Sequence, residues 1–401
     1  MNTNNKYDIV IIGSGISGMS LAHYCAHNNL KTLVIEKDDT PGGSFTTRDS
    51  ENFWLELGAH TLYNTYGNLI DIINECGFTD EIIKRQKVPY RVYKDNKILK
   101  VMSQFNILEL IVPIPRIFIT KKDNQTIESY YSSLVGKRNY RKFFQYMFNA
   151  VPSQPTNQFP ADILFKKRPK RKDVYRSFTF KNGLSSLINK IAAQENIEME
   201  VEKNVKNIKR FKNIYEIITD KGQIYETNTV ALATPVNITS ELLDGLLPDV
   251  SELLKKIEWV ETDSVGIIIN KSNITIEEVA GIIGVNECFY SAVSRDVVNS
   301  SEYRGFTFHF IPGKLNQTDQ IEFICNVLKI DKKDIIDKYF IKNTVPSFKL
   351  GQNLITQKLD NLLKNENILL TGNYLTGMAI EDCVTRSKEE YNRLQKLLSN
   401  N

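Results

Sequence analysis

An α/β fold carrying an interleaved α+β second domain is what this sequence predicts, on three observations. Near the N-terminus an apolar, β-branched run, Tyr7–Ile12 (YDIVII), breaks into a glycine-rich turn, a helical pattern and a second short apolar strand. A run of that kind suits a parallel strand buried on both faces. Further apolar stretches recur far downstream at Thr229–Pro235 (TVALATP) and Ile368–Thr371 (ILLT), separated by segments of different pattern. A length of 401 residues also exceeds one simple core and points to about two domains.

Composition narrows the class. Hydrophobic residues make up 41% and charged residues 24%, the balance of a folded globular protein. A formal charge of +4, from 51 basic and 47 acidic residues, gives no reason to expect a nucleic-acid partner. The cysteines, Cys25, Cys76, Cys288, Cys325 and Cys383, are scattered without a CxxC pair and read as reduced intracellular thiols. With only 4 histidines, no metal site is expected. The polar N-terminus running into a strand is unlike a signal peptide, and no apolar run approaches about 18 residues. A soluble, cytoplasmic protein, monomer or homodimer, is the expectation.

The opening unit carries the first chemical signal. The strand ends in Gly13-Ser14-Gly15-Ile16-Ser17-Gly18, a GxGxxG, and Ile16, Met19, Ala22 and Ala26 follow at helical spacing. Gly13 permits the tight turn, Gly15 lets backbone approach a pyrophosphate, and Gly18 lets helix and strand pack closely. The helix N-terminus offers free N–H groups and a positive dipole end to phosphates. A second strand, Lys31–Ile35, delivers Glu36, whose carboxylate suits a ribose diol. A glycine-rich turn alone is weak; strand, turn, helix, strand and acid in order indicate a dinucleotide. Beyond Lys37, Gly42-Gly43-Ser44 is a turn whose glycines admit very close backbone approach.

The stretch VIEKDDTPGGSFTT (residues 34–47) resembles the extended signature of the flavin amine oxidase superfamily, with Ser44 where members commonly carry arginine. The resemblance implies FAD, in a Rossmann-like domain of the glutathione-reductase/amine-oxidase type, with Glu36, Lys37, Gly42, Gly43 and Ser44 beside the ADP half. Phe53–Tyr63 (FWLELGAHTLY) is similar to the superfamily's strand and turn, which implies Gly58, Ala59 and His60 near the flavin. Phe178–Ala193 (FTFKNGLSSLINKIAA) looks like the chain's return into the cofactor domain, and Val201–Ile208 like the adenine-side strand, with Val205 at the matching position. Strands are expected at Ile214–Thr219 and Gln223–Glu226, and TVALATP resembles the family's exit strand, which places Thr234 at the cofactor.

Ile368–Val384 (ILLTGNYLTGMAIEDCV) resembles the C-terminal flavin-closing segment. It implies roles for Gly372, Asn373, Gly377, Met378 and Ala379, with a helix N-terminus aimed at the flavin. Its form, with Pro346–Gly351 (PSFKLG), is more similar to the protoporphyrinogen oxidase branch than to monoamine oxidases. Amine oxidases often place a lysine on the strand that here reads Asp263–Asn270 (DSVGIIIN); by resemblance Ile267 takes that position, and no lysine occurs before Lys271. No motif signals covalent attachment, so non-covalent FAD is expected.

These anchors divide the chain into a cofactor domain (1–88, 174–235 and 352–401) and a substrate domain (89–173 and 236–351), the first piece of the latter helix-like, the second with strands near Ser264–Ile269 and Phe306–Ile311. The implied activity is hydride transfer from a small amine, heterocycle or porphyrinogen-like substrate to FAD, with oxygen as acceptor. The alternative is a non-redox flavoenzyme similar to UDP-galactopyranose mutases, which GAHTLYNT around His60 also resembles; no arginine pair for a diphosphate is evident. Catalytic or substrate-contact candidates are His60, His309 and Tyr374, with Arg295 and Arg304. In the FTFHF strand, alternation sets Thr307 and His309 on one face and Phe306, Phe308 and Phe310 on the other. Ile107–Ile119 and the basic Lys166–Lys172 (KKRPKRK) raise peripheral membrane contact, against a buried helix and a solvated loop.

Overall fold

The computed structural model describes residues 6–50, 52–111 and 120–399. Two seven-stranded sheets organise it. The first runs, in spatial order, Ile197–Glu200, Thr32–Ile35, Lys6–Ile12, Ile224–Leu232, Ile214–Thr219 and Val205–Phe211, with Ile368–Leu370 also paired to Ile224–Leu232. Its central ladders are parallel, and the two strands from Val205 to Thr219 are antiparallel. The apolar opening run behaves as its composition requires. Ile9 and Ile11 bury into a core shared with helix Ile16–His27 and the C-terminal helix Ile380–Ser399. Val10 and Ile12 bury on the opposite face, against helices Val236–Leu243, Pro248–Leu254 and Gln352–Leu363.

The region after Thr219 differs from expectation. Gln223–Glu226 and the TVALATP segment form one strand, Ile224–Leu232, rather than two. Polar Glu226, Thr227 and Thr229 remain within it because partners exist on both sides. Glu226 pairs with Lys6 and Glu216, and the Thr227 hydroxyl donates to the Thr229 carbonyl (2.9 Å). The adenine-side strand begins at Val205 itself, with Val201–Asn204 outside it.

The second sheet runs Ile335–Pro346, Trp259–Asn270, Tyr303–Phe310, Phe289–Ser294, Gly281–Gly284, Tyr90–Lys94 and Lys97–Lys100. Its strands come from residues 90–100 and 259–346, so the segment expected to be helix-like from residue 89 starts as a hairpin that joins this sheet. Phe306, Phe308 and Phe310 pack into its core with helix Gln317–Leu328, as alternation predicted.

A short strand from the first half, Phe53–Glu56, lies across the other face of this sheet. Phe53, Leu55 and Leu57 pack there with Ile268. Two glycines make the crossing possible: a Cβ on Gly266 would sit 2.4 Å from Leu57 Cδ2, and one on Gly305 2.9 Å from Leu55 Cδ1. The Thr307 hydroxyl donates to the Glu56 carbonyl at 2.6 Å. Ile267 therefore turns away from the first half, into the second sheet's core; the residues facing Phe53–Leu57 are Gly266 and Ile268.

Residues 112–119 of the apolar segment lie outside the described residues. In the basic cluster, Lys166 and Arg168 pair with Asp382 (3.0 and 2.6 Å) and Arg171 with Asp71 and Asp173 (2.6 and 2.7 Å). Among the described residues no helix is long and apolar enough to cross a membrane.

Candidate functional site

The glycine-rich turn and the two loops expected beside it converge. Gly13 has φ +100°, a conformation that glycine adopts without penalty. Gly15 caps helix Ile16–His27 with no side-chain hydrogen bond, and no acidic residue occupies the first turn. The leading N–H groups are thus left open to an anion. Glu36, buried, accepts from the Ser14 N–H (2.9 Å) and hydroxyl (2.6 Å), and the Ser14 hydroxyl accepts from Gly42 N–H (3.2 Å). Gly43 lies against Gly15, and Ala59 N–H donates to the Ser44 carbonyl (2.8 Å). Lys203 N–H donates to the Glu36 carbonyl (2.9 Å), which brings the start of the Val205 strand alongside. From the C-terminal helix, the Ser387 hydroxyl donates to the Ser17 carbonyl (2.7 Å). An open helix N-terminus, a glycine whose Cβ would meet nothing closer than 3.9 Å, and a buried carboxylate at the second strand's end fit a dinucleotide.

Other expected cofactor contacts stand further out or are otherwise engaged. Lys37 is exposed and pairs loosely with Asp38 (3.6 Å). Thr234 bonds Thr239 (2.9 Å). Gly372 packs against the Tyr374 ring, with Asn373 between them in the same turn. Around Gly377 stand Asp382 and Lys166, and Met378 packs on the core of residues 127–164. Ala379 N–H donates to Asp382 (3.3 Å), so the start of the C-terminal helix, at Ile380, already has a carboxylate.

Between the halves lies a small cleft lined by Trp54, Glu56, His60, Arg85, Thr179 and Arg295, among others. Burial, partly offset by hydrogen bonds from Leu184 N–H (2.6 Å) and the Thr47 hydroxyl (2.9 Å), pushes the Glu56 carboxyl up to about 7. Burial, with Arg85 and His309 nearby, holds His60 down at about 3. Arg295 lies over the Trp54 ring (3.8 Å to the centroid), and burial lowers it to about 10. Neither Glu56 nor Arg85 was singled out from the sequence. The legible signal for Glu56 was a lone carboxylate within the apolar FWLEL strand.

Three candidates have partners within the fold. Tyr374 is fully buried in the first sheet's core, its hydroxyl donating weakly to Thr239 (3.4 Å), so it faces no chamber. Arg304 is buried and spent on Asp296 (2.9 and 2.6 Å) and the carbonyls of Ile276 and Glu277. His309 shares a hydrogen bond with Ser264 (2.8 Å) and is held near 4 by burial. A cluster of His23, His27 and Glu75 also arises, but both His23 ring nitrogens already meet Glu75 (2.7 Å) and Gln194 (3.1 Å).

The depressed histidines have a consequence for stability. With folded values of about 3 and 4 against 6.5 unfolded, both are neutral in the fold, and the unfolded chain binds more protons as pH falls below 6.5. Their contribution is complete above 6.5 and is lost as pH falls towards about 4. Urea midpoints should show His309→Gln losing less stability than the parent between about pH 7 and about pH 5. Parallel losses would refute this.

Comparison with known proteins agrees with the fold and the turn. Residues 11–76 match the family model for an NAD(P)-binding Rossmann-like domain. The chain is 30% identical over 76 residues to 15-cis-phytoene desaturase of Narcissus pseudonarcissus, covering 19% of this chain and 13% of that protein. It is 20% identical over 273 residues to a flavin-containing amine oxidase of Danio rerio (60% and 52%). It is 28% identical over 219 residues to a "Probable UDP-galactopyranose mutase" of Klebsiella pneumoniae (50% and 56%). The matched regions thus span well under two thirds of these relatives. The structure of an Exiguobacterium protein provisionally assigned as a protoporphyrinogen oxidase superposes with TM-score 0.80 at 16% identity, covering 99% of this chain and 100% of that one. The class is a Rossmann-like dinucleotide-binding α/β protein. Motifs and sequence relatives support the flavin amine oxidase superfamily for this chain, as the resemblance implied.

Proposed function

We propose that the protein is an FAD-dependent oxidoreductase that binds its flavin without a covalent link and oxidises a small organic substrate in the cleft between the two sheets. The observation that carries this is the open N-terminus of helix Ile16–His27, flanked by Gly15, buried Glu36 and the Gly42–Gly43 loop. The backbone N–H groups there receive the pyrophosphate and Glu36 the ribose hydroxyls. Bound FAD supplies hydride acceptance at N5, with reoxidation by oxygen. Glu56, titrating near neutrality at the cleft wall, holds or releases a proton beside the substrate, and His60 stays neutral. Cys383, the cysteine beside Ser17, is buried and its thiol pushed up to about 12, which supports non-covalent binding.

A second reading, a redox-neutral flavoenzyme of mutase type, gains one observation: the structure brings Arg85 and Arg295 onto one cleft, a pair the sequence did not reveal. Anaerobic substrate that bleaches the yellow protein, with colour and peroxide returning in air, supports the oxidase. Turnover only after prior reduction, with no net oxidation, supports the mutase.

The cofactor assignment has its own test. At Gly15 φ is −64°, open to any side chain, and a Cβ meets nothing within 3.9 Å. Gly15→Trp should therefore fold yet purify with flavin content reduced on the order of tenfold or more, and Glu36→Ala with a smaller reduction. Parental flavin content in both variants would refute the assignment.

A further inference from the structure

The cleft holds an unusual set of unpaired donors. Arg85, Arg295 and Thr179 all line it and are all more than nine-tenths buried. Among the described residues, the Nε of Arg85, the Nε of Arg295 and the hydroxyl of Thr179 have no hydrogen-bond partner. The guanidiniums are only part-used: Arg85 Nη1 donates to the Thr61 hydroxyl, and Arg295 Nη1 to the Val298 carbonyl (2.8 Å). Burying an unpaired donor is costly, and two buried guanidiniums without a carboxylate bonded to either are more so. Three such donors, all on residues that line one chamber, mark the place of a missing acceptor.

The balance of charge selects the acceptor. Glu56 is the acidic residue lining the cleft, but its oxygens are taken by Leu184 N–H and the Thr47 hydroxyl rather than by either arginine. Glu56 supplies at most one negative charge against two guanidiniums, so at least one positive charge is left for an anion to neutralise. Trp54 adds a flat apolar wall over which Arg295 is stacked, so the guanidinium plane is held in place. Planar guanidinium donors match a carboxylate in shape.

We propose that Arg85, Arg295 and Thr179 form a subsite for a carboxylate group of the substrate. This deepens the reading of the cleft as the substrate chamber and rests on it. The substrate is thus an organic acid: its carboxylate anchors on the arginines, and its reacting carbon or nitrogen extends along the wall formed by Trp54 and His60.

Calorimetric titration of the purified flavoprotein tests this with three probes: benzoate, its neutral isostere benzamide, and inorganic phosphate. Benzoate should bind at least about tenfold more tightly than benzamide or phosphate. Arg85→Gln and Arg295→Gln should each weaken benzoate on the order of tenfold or more while leaving benzamide unchanged, a split that a merely structural role would not produce. Thr179→Val should weaken benzoate severalfold and is the milder variant if an arginine variant fails to fold. Equal affinity for benzoate and benzamide, or tighter binding of phosphate, overturns the carboxylate subsite; the parent protein alone decides that. A yellow protein without a benzoate preference ends this inference and leaves the flavin assignment standing. A protein that holds no flavin ends the flavin assignment, whatever the titration shows.

Discussion

Gly18→Ala is expected to destabilise the fold by about 3 kcal/mol or more and to yield protein without flavin. An alanine Cβ there would sit 2.0 Å from the Gly13 carbonyl oxygen and 3.1 Å from Ala233 Cβ. The first contact is with backbone, so no rotamer change relieves it, and helix Ile16–His27 must move off the sheet. That helix buries Ile16, Met19, Leu21 and Ala22 against Ile9, Ile11 and Leu369, so displacement opens the core on that face. The contrast with Gly15 makes the prediction specific: the same motif contains one glycine needed for packing and one needed for ligand approach. Denaturant midpoints and flavin absorbance, measured together, separate them. Gly18→Ala should lower both, and Gly15→Trp mainly the second. A Gly18→Ala variant with the parental midpoint would show that the helix packs otherwise.

How much of this was legible beforehand follows the range over which each feature is encoded. The opening strand, turn, helix and acid lie within Tyr7–Glu36, and each element is dictated by its neighbours in sequence, so the unit could be read directly. The same holds for the two faces of Tyr303–Phe310, where period-two alternation separates the phenylalanines from Thr307 and His309. Strand limits were harder. Ile224–Leu232 reads as two strands because its middle is polar, yet hydrogen bonding on both edges holds it as one. The cleft was largely illegible. Glu56, Arg85, Thr179 and Arg295 come from four separate segments and meet because Phe53–Glu56 crosses the second sheet at Gly266 and Gly305. Those two glycines, each in the interior of a strand, were the available sign of a close approach. Nothing local marks which buried arginine is satisfied and which is not: Arg295 and Arg304 look equivalent in sequence, and only tertiary partners distinguish them.

Asp296→Ala tests that distinction, with an expected loss of about 3–5 kcal/mol. Asp296 accepts two hydrogen bonds from Arg304 (2.9 and 2.6 Å) and one from Val279 N–H (3.0 Å), and both charged side chains are buried. Truncation leaves a cation enclosed with the carbonyls of Ile276 and Glu277 and the Phe306 ring but no carboxylate, and orphans a backbone donor. The cost arises from the abandoned charge rather than from the pair as such, so the double variant Asp296→Leu with Arg304→Leu should recover a substantial part of the loss. Recovery is incomplete because Val279 N–H stays unpaired. Because Asp296 adjoins Arg295, the single variant should also disturb the cleft wall and weaken benzoate binding, whereas the double variant should restore binding towards the parental value. A single variant within about 1 kcal/mol of the parent, or a double variant less stable than the single one, would mean that the buried pair is not what holds this loop.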